Sequence, residues 1–375
     1  MTPERATRGS LPPLPTLVTG GAGFIGGEVV ASLLDDGASV TVLDDLSTAD
    51  VDWADRFGQA PGLRFVRGDA ADADAVREAM RGAARVVHLA AGTDIAGGLD
   101  HPERDFRSGI LATETVCEAM HALGVRELWY ASSGVVYGRP DSTPSAEGDG
   151  PLLPESHYAA AKLAGEAIVS GFAHLYGWRA LAFRFGNTVG PRSNHGVVHD
   201  LVVKAMRDPS KLEILGDGTA AKPYIGVADL VGGMHCVAAA VERAGTSGLR
   251  ILNLGPQGTL SVRRVAEIIV EALGLSTADV RFVFTGSRPD GGGWPGDTPL
   301  VDFDTTAVRA LGWAPGSSAE DAIRNAAIGI AARYRASGRP LLTDRERRAR
   351  TGPGGAASQE SAAGATTAGP LVAAG

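Results

Sequence analysis

Several features that would direct the chain to other classes of protein are scarce or missing. No apolar run approaches the roughly 20 residues of a membrane-spanning helix, and the opening MTPERATRGSLPPLP lacks the apolar core of a secretory signal. The two cysteines, Cys117 and Cys236, lack metal-site spacing, so we expect buried thiols in a reducing compartment. Because 35 basic residues face 43 acidic ones, the net charge of −8 disfavours nucleic-acid binding. The sequence predicts a cytoplasmic globular protein that acts on small molecules.

Lysine is also rare, since only four of the 35 basic residues are lysines. They are Lys162, Lys204, Lys211 and Lys222. A lysine retained in an arginine-rich chain indicates a position where a compact ammonium is needed and a planar guanidinium does not serve. Lys162 and Lys222 are therefore candidates for functional roles.

Composition separates two tails from a globular body. Residues 1–13 are rich in Pro, Arg and Thr, and residues 345–375 are low-complexity Gly, Ala, Ser and Thr, so neither can bury much apolar surface. We expect a dinucleotide-binding domain over residues 14–190. A smaller lobe over residues 191–340, interleaved with that domain, is expected to bind the substrate.

Apolar strands alternate with helical patterns through the first half of the chain. The predicted strands are PTLVTG, SVTVLDD, LRFVRGD, ARVVHLAA, VRELWYASS and RALAFRFGN. Near-continuous apolar strands of this kind are typical of a parallel sheet that helices cover on both faces. The sequence predicts an α/β fold with a Rossmann-type doubly wound sheet, and we assign the later strands LEIL, RILNLG and VRFVFTG to the C-terminal lobe.

A glycine-rich turn follows the first strand. TGGAGFIG places Gly20, Gly23 and Gly26 where the chain enters a helix, and such a turn lets the backbone approach a pyrophosphate. Asp44 ends the second strand, where an acid can bind adenosine ribose hydroxyls and would repel a 2′-phosphate, so NAD is favoured over NADP. Asp44 could instead be only a polar residue at a strand end. Asp69, after the third strand, is either an adenine-side contact or a turn residue.

Tyr158 and Lys162 lie four residues apart on one predicted helix, so their side chains share a face. A tyrosine with its ordinary pKa of about 10 is a poor base at neutral pH, and we expect the ammonium, with a nicotinamidium cation, to favour the phenolate. Ser133, in YASSGVVYG, offers a donor to the same oxygen. The three residues predict acid–base chemistry on a sugar or alcohol hydroxyl. The alternative is a Tyr–Lys pair on a solvated helix face.

These motifs resemble the extended short-chain dehydrogenase/reductases, and most of all the NAD-dependent nucleotide-sugar epimerases of the UDP-glucose 4-epimerase type. The similarity covers most of residues 14–335 and includes LATETVCEAM, RFGNTVGPRSNHGVVHD, KLEILGDGTAAKPYIGVADL and GWPGDTPLVDFD. It implies bound NAD, no catalytic metal, and a nucleotide-sugar substrate in which UDP is favoured. His195 and His199 are further candidates for contact with the nucleotide or a charged sugar.

The resemblance implies a role for particular residues. Ser133 binds the reacting hydroxyl, Tyr158 is the base, and Lys162 binds the cofactor ribose. Asn187 and Lys222 face the sugar diphosphate. Arg288, which an inserted PDGG separates from GWPGD, offers a second phosphate contact. The residues that it places at the cofactor are Gly20, Gly23, Phe24, Ile25, Gly26, Asp44, Asp69, Ala70, Leu89, Ala90, Ala91, Tyr158 and Lys162.

Departures from the family's pattern bear on the reaction. Gly134 and Val135 follow Ser133, where sugar 4,6-dehydratases carry an Asp-Glu pair and decarboxylases tend to carry a glutamate. We therefore expect a C4 epimerase that works through a transient 4-keto sugar. The alternatives are a ketoreductase, dehydratase or decarboxylase on this scaffold, or a non-catalytic NAD sensor. Ser108, in place of an asparagine, and the loop GTDIAGG suggest a modified sugar.

Two predicted helices carry more apolar residues than one inward stripe needs. They are RDFRSGILATETVCEAMHALG and PESHYAAAKLAGEAIVSGFAHLYG, and the surplus includes Ile110, Val116, Ile168 and Phe172. A helix with so wide an apolar surface needs a second partner. The resemblance implies a homodimer in which these helices form a four-helix interface. The alternative is burial within the chain.

Overall fold

The structure is a computed structural model that describes residues 11–49, 52–286 and 288–351. The strands of the first half are β1 (Thr16–Thr19), β2 (Val40–Asp44), β3 (Leu63–Arg67), β4 (Arg85–His88), β5 (Glu127–Ser133), β6 (Arg179–Phe185) and β7 (Asn187–Val189). Those of the second half are β8 (Lys211–Leu215), β9 (Ala221–Lys222), β10 (Tyr224–Gly226), β11 (Gly248–Leu254), β12 (Leu260–Ser261) and β13 (Arg281–Thr285).

Helices connect and cover these strands. The first six are α1 (Phe24–Asp35), α2 (Trp53–Phe57), α3 (Ala73–Met80), α4 (Pro102–Asp105), α5 (Ala112–Leu123) and α6 (His157–Tyr176). The others are α7 (Gly196–Arg207), α8 (Val227–Ala244), α9 (Val262–Ala272), α10 (Thr306–Ala310), α11 (Ala319–Ser337) and α12 (Asp344–Thr351). None of the helices in the described ranges is both long and apolar enough to cross a bilayer.

The main sheet has seven parallel strands in the order β11-β6-β5-β4-β1-β2-β3. Alternate residues of each strand join opposite cores: Val18 packs with α1 and α8, while its neighbour Leu17 packs with α3, α5 and α6. The strand order reverses between β1 and β4, so a crevice opens at their carboxyl ends, where ligands bind in folds of this type. The predicted doubly wound α/β fold is confirmed.

Strand β11 belongs to the main sheet, although the sequence analysis assigned RILNLG to the smaller lobe. It pairs in parallel with β6, from Gly248 opposite Arg179 to Leu254 opposite Phe185. Ile251 packs on one core of the sheet and Leu252 on the other, so both of its faces are covered. The chain therefore leaves the main sheet after β6, builds part of the lobe, and returns.

The smaller lobe has a core of its own. Helices α7, α9 and α11 pack there with the paired strands β8 and β13, and the core includes Leu201, Ile269 and Ile323. Residues 345–351, which composition placed in a tail, form most of α12. That helix is held by charges rather than by apolar burial, since Arg207 and Glu346 form an ion pair at 2.7 Å. The rest of both predicted tails, residues 1–10 and 352–375, lies outside the described residues.

The helix predicted over residues 104–124 is not uniform. A π-helical turn, Phe106–Leu111, separates α4 from α5. Gly109 in this turn faces α6 so closely that a Cβ would lie 2.7 Å from the Cβ of Ala161. Wide turns of this type occur often at functional sites, and this one lies beside the helix that carries Tyr158.

Candidate active site

The glycine-rich turn between β1 and α1 is packed against the end of β4. Gly20 has a φ of 69°, and a Cβ there would lie 2.7 Å from the backbone nitrogen of Ala90. A Cβ on Gly26 would overlap the carbonyl oxygen of Gly20. No side chain caps the N-terminus of α1, where Gly23 is the N-cap and Phe24 begins the helix. The uncapped N–H groups and the positive end of the helix dipole suit a phosphate, so these residues fit a dinucleotide.

Asp44 joins the glycine-rich turn to the loop that follows β2. One carboxylate oxygen accepts from the N–H of Ala22 at 2.9 Å, and the other accepts from the N–H of Leu46 at 2.8 Å. Burial raises the pKa of Asp44, and the two backbone hydrogen bonds oppose that shift. Each carboxylate oxygen can accept a further hydrogen bond. The side chain is therefore more than a polar residue at a strand end, and its contact with a ribose stays a prediction.

The remaining predicted cofactor contacts line the same carboxyl edge of the sheet. Asp69 accepts from the N–H of Ala71 at 2.8 Å and pairs with the Arg107 guanidinium at 2.8 Å, so it serves at least as a turn residue. After β4, the N–H of Leu89 donates to the carbonyl oxygen of Thr19 at 3.1 Å. The other residues predicted here are the half-buried Ile25, Ala90 and Ala91 and the buried Ala70. Their contact with NAD stays a prediction.

The structure brings Ser133, Tyr158 and Lys162 together. Ser156 caps α6 by accepting from the N–H of Ala159 at 3.1 Å, which starts the helix just before Tyr158. Lys162 is buried, and its Nζ donates to the carbonyl oxygen of Ala131 at 2.7 Å. That Nζ lies 5.8 Å from the centre of the Tyr158 ring, so the alternative of a solvated pair does not hold.

Burial shifts the pKa values of both Tyr158 and Lys162. Burial raises the pKa of Tyr158 to about 12, and hydrogen bonding to Ser133 acts in the opposite direction. Burial also lowers the pKa of Lys162 to about 8. Burial is thus the main influence on Tyr158 among the protein's own groups, and the phenolate expected with a nicotinamidium cation beside it stays a prediction. The further lowering has to come from the bound ligands.

The predicted diphosphate residues lie on neighbouring elements of the lobe. The N–H of Asn187 donates to the carbonyl oxygen of Pro223 at 2.8 Å, next to Lys222. Lys222 is buried, and its Nζ contacts Asp297 at 3.4 Å and the carbonyl oxygen of Thr298. Burial lowers the pKa of Lys222, and Asp297 opposes the shift. Contact of Asn187 and Lys222 with a sugar diphosphate stays a prediction.

Arg288 directly precedes the inserted PDGG, and its Nε lies 3.6 Å from Asp290. Asp290 also pairs with Arg139 at 2.5 Å, and Arg139 pairs with Glu155 at 2.6 Å. The sequence analysis missed this network and the contact of Lys222 with Asp297. The acidic stretch PDGGGWPGD near two candidate cations was the available signal.

His199 has a structural environment. Its buried imidazole contacts the hydroxyl of Tyr334 at 2.9 Å and the Arg347 guanidinium at 3.2 Å. It joins α7 to α11 and α12 inside the lobe, which gives the imidazole a structural role, and its contact with a nucleotide stays a prediction. The sequence could not show this, because α12 lies in a segment whose composition suggested a tail.

Fold and site together define an α/β enzyme with a dinucleotide cradle beside a Ser–Tyr–Lys group. Residues 16–255 match the protein family described as the NAD-dependent epimerase/dehydratase family. The chain therefore belongs to the NAD-dependent epimerase/dehydratase family. The family resemblance and the NAD cofactor, both predicted from the sequence, are confirmed.

Curated relatives fall into two groups. The chain is 32% identical over 315 residues to a UDP-glucose 4-epimerase of Streptomyces lividans, which covers 80% of this chain and 91% of that protein. It is 31% identical over 313 residues to a dTDP-glucose 4,6-dehydratase of Streptomyces griseus, covering 82% and 91%. A crystal structure of a UDP-galactose 4-epimerase matches with a TM-score of 0.74 at 32% identity, over 85% of this chain and 99% of that one. Similarity to these relatives therefore does not distinguish 4-epimerisation from 4,6-dehydration.

Proposed function

We propose that the protein is an NAD-dependent epimerase that inverts C4 of a nucleotide-diphosphate sugar, with a UDP-sugar favoured. The observation that carries the choice over a dehydratase is Gly134, which directly follows Ser133. A Cβ at Gly134 would lie 2.6 Å from the ring of Phe303, so an acidic side chain does not fit there. Val135, the next residue, is apolar. The acid that would expel a hydroxyl as water is therefore missing beside Ser133.

The chain's own residues handle the sugar hydroxyl. Tyr158 accepts the proton of the C4 hydroxyl, Ser133 holds the same oxygen, and the Lys162 ammonium stabilises the phenolate charge. When bound, NAD supplies a reversible hydride acceptor. The sugar is a 4-keto species until C4 regains a hydride and Tyr158 returns the proton to the oxygen, and inversion requires the keto sugar to turn in the site.

The nucleotide would enter from the lobe. A diphosphate placed between Asn187 and Lys222 would compete with Asp297 for the Lys222 ammonium. Both contacts are charge-assisted, so the exchange would replace one ion pair with another. UDP is favoured over other nucleotides because the relatives in one of the two groups are UDP-glucose 4-epimerases.

One experiment separates the reactions. The purified protein is incubated with UDP-glucose and a panel of related nucleotide sugars, and C4 inversion is followed by NMR while mass spectrometry records the products. We expect C4 epimers of unchanged mass and no change in external NADH. Loss of water or carbon dioxide, or turnover that requires added NADPH, would contradict the proposal.

We also propose a homodimer built on the π-helical turn, α5 and α6. Val116, expected on the partner-facing surface, is fully buried within the chain, and Ile168 and Phe172 pack partly on the core. Other apolar residues of these elements are exposed, and they include Phe106, Leu111, Leu175 and Tyr176. Leu175→Asp should shift the mass measured by light scattering to that of a monomer. Leu153→Asp, at an exposed leucine outside these helices, should not; a wild-type monomer at micromolar concentration would refute the dimer.

A further inference from the structure

One carboxylate in the active-site region is buried without a partner. Asp105 ends α4, directly before the π-helical turn, and the residue is 5% exposed. Its Oδ2 has no hydrogen-bond partner among the described residues. Buried polar groups are almost always hydrogen-bonded, and an ionised carboxylate is among the costliest to leave unpaired. An acceptor kept in this state indicates that its donor comes from outside the chain.

The loop over residues 92–98, GTDIAGG, leaves room for this carboxylate. A Cβ on Gly98 would overlap Oδ2, and a Cβ on Gly92 would lie 3.5 Å from Oδ1. Glycine at position 98 therefore leaves the carboxylate in its present position, from which a larger residue would displace it. The unusual loop and Asp105 form one arrangement, although the sequence analysis noted only the loop.

The same arrangement borders the catalytic group. Asp105 lines a narrow crevice with Tyr158 and Lys162, and Gly92, Ser108 and Gly109 also line it, so a ligand group reaches the carboxylate only when this lining shifts. The Lys162 ammonium donates to the carbonyl oxygen of Ala131, and Oδ2 of Asp105 has no hydrogen bond to it or to any other described residue. Burial raises the pKa of Asp105, and the charge of Asp94 adds to this shift. The charges of His157 and Arg104 oppose it. The negative charge of Asp105 in turn raises the pKa of Tyr158, so the two groups are electrostatically close.

We propose that Asp105 is a further substrate-binding residue, whose unpaired oxygen accepts a hydrogen bond from a sugar hydroxyl near the one that Tyr158 holds. A pyranose carries hydroxyl groups on neighbouring carbons, so a second acceptor beside the catalytic tyrosine meets a second donor of the same ring. The inference rests on the proposed function only in that the site binds a nucleotide sugar. The ribose of NAD carries the same chemistry, and the experiment separates these two sources.

Binding is measured in NAD-loaded protein that carries Tyr158→Phe, so that turnover does not enter the result. Calorimetric titration with UDP-glucose, dTDP-glucose and UDP compares this parent with variants that also carry Asp105→Ala or Asp105→Asn. Hydrogen bonds to charged groups correspond to affinity changes of roughly ten- to a hundredfold. We expect Asp105→Ala to weaken binding of at least one sugar nucleotide by about tenfold or more and to leave UDP binding and NAD content unchanged. Asp105→Asn, which keeps an acceptor oxygen, should have the smaller effect.

Two further measurements exclude a merely structural role. Glu103→Gln removes an acid from the same short helix, but the Glu103 side chain is 71% exposed, and it should leave all affinities unchanged. Because Oδ2 of Asp105 has no hydrogen-bond partner among the described residues, Asp105→Asn should keep or raise the thermal midpoint without a sugar nucleotide and should reduce the shift that the sugar nucleotide adds. A lower midpoint with unchanged sugar affinity would assign a structural role.

The proposal is overturned if Asp105→Ala and its parent bind both sugar nucleotides equally, or if the loss appears only in NAD affinity. These outcomes are independent of the reaction. A protein that proves to be a dehydratase would still show the effect of Asp105 on binding, and a C4 epimerase without that effect would refute Asp105 alone.

Discussion

The two ends of the active site are built from different parts of the polypeptide. At the cofactor end the surface is main chain: the turn from Gly20 to Gly26, the uncapped start of α1, and the loops that Asp44 holds through two backbone N–H groups. At the sugar end it consists of charged side chains, such as Lys222 with Asp297. A main-chain site tolerates little change because a single Cβ blocks it. A side-chain site can be altered one residue at a time, which suits a family whose members share a cofactor and differ in sugar chemistry.

The two ends also differ in how their groups are held within the chain. The glycine turn is shaped by close main-chain packing, whereas Lys222 and Arg288 each pair with an aspartate of the chain. With the sites proposed above, a cofactor would occupy a main-chain cradle, and a sugar nucleotide would exchange one ion pair for another. Substitutions can test each side of this difference.

The largest effect is expected where the two ends meet. Tyr158→Phe removes the acid–base and should lower turnover of the preferred nucleotide sugar by on the order of a thousandfold, since general acid–base groups contribute 10²–10⁴-fold. NAD content should stay unchanged because the cradle is main chain. Both quantities follow from one preparation, by NMR assay and by release of NAD on denaturation. Tyr176→Phe, on the same helix and 40% exposed, is the control; an unchanged rate in Tyr158→Phe would remove the assigned role.

The next effect tests the main-chain cradle. Gly26→Ala would place a methyl group against the carbonyl oxygen of Gly20, and we expect NAD affinity to fall by about a hundredfold, as for a loss of roughly 2–3 kcal/mol. Gly27→Ala is the matched control, because a Cβ there has no neighbour closer than 3.6 Å. Fluorescence titration with NAD on protein stripped of nucleotide measures both. Equal affinities of the two variants would show that the turn is not the cofactor site.

A smaller effect is expected at the sugar end. Lys222→Met should raise the KM for the sugar nucleotide about tenfold, as a charged hydrogen bond to phosphate is lost, and should leave NAD affinity unchanged. Arg288→Ala should change KM less, since its side chain is 41% exposed and already pairs with Asp290. Steady-state kinetics with UDP-glucose decides between them. A greater effect of Arg288 than of Lys222 would reverse their proposed roles.

The smallest expected effect is a shift in pH dependence. Tyr158 acts as a base only when deprotonated, so turnover rises with pH, and hydrogen bonding to Ser133 lowers the pKa of Tyr158. Ser133→Ala removes that contribution, and the ascending limb of the kcat profile should move to higher pH. Ser133→Thr, which keeps the hydroxyl, should leave the limb in place. A limb that moves to lower pH, or stays unchanged in Ser133→Ala, would show that Ser133 does not act on Tyr158.

The sequence predicted the parallel sheet and the Ser–Tyr–Lys group because buried parallel strands are continuous apolar runs and helical spacing is local. It did not place β11, since a short apolar strand carries no mark of the sheet that it joins. The desolvation that raises the pKa of Tyr158 could not be predicted, because it depends on neighbours that spacing does not reveal. Asp105 was missed because an acid among the charged residues of PERDFR resembles a solvated helix face.

The return of the chain to the main sheet has a consequence for how the protein can be made. Strand β11 ends at residue 254, so the edge of β6 has no strand to cover it until well over half of the chain has left the ribosome. An uncovered strand edge invites pairing with other chains. A fragment that stops at residue 190 should therefore aggregate, and the shortest fragment with all seven strands of the main sheet must also contain α7 and α8.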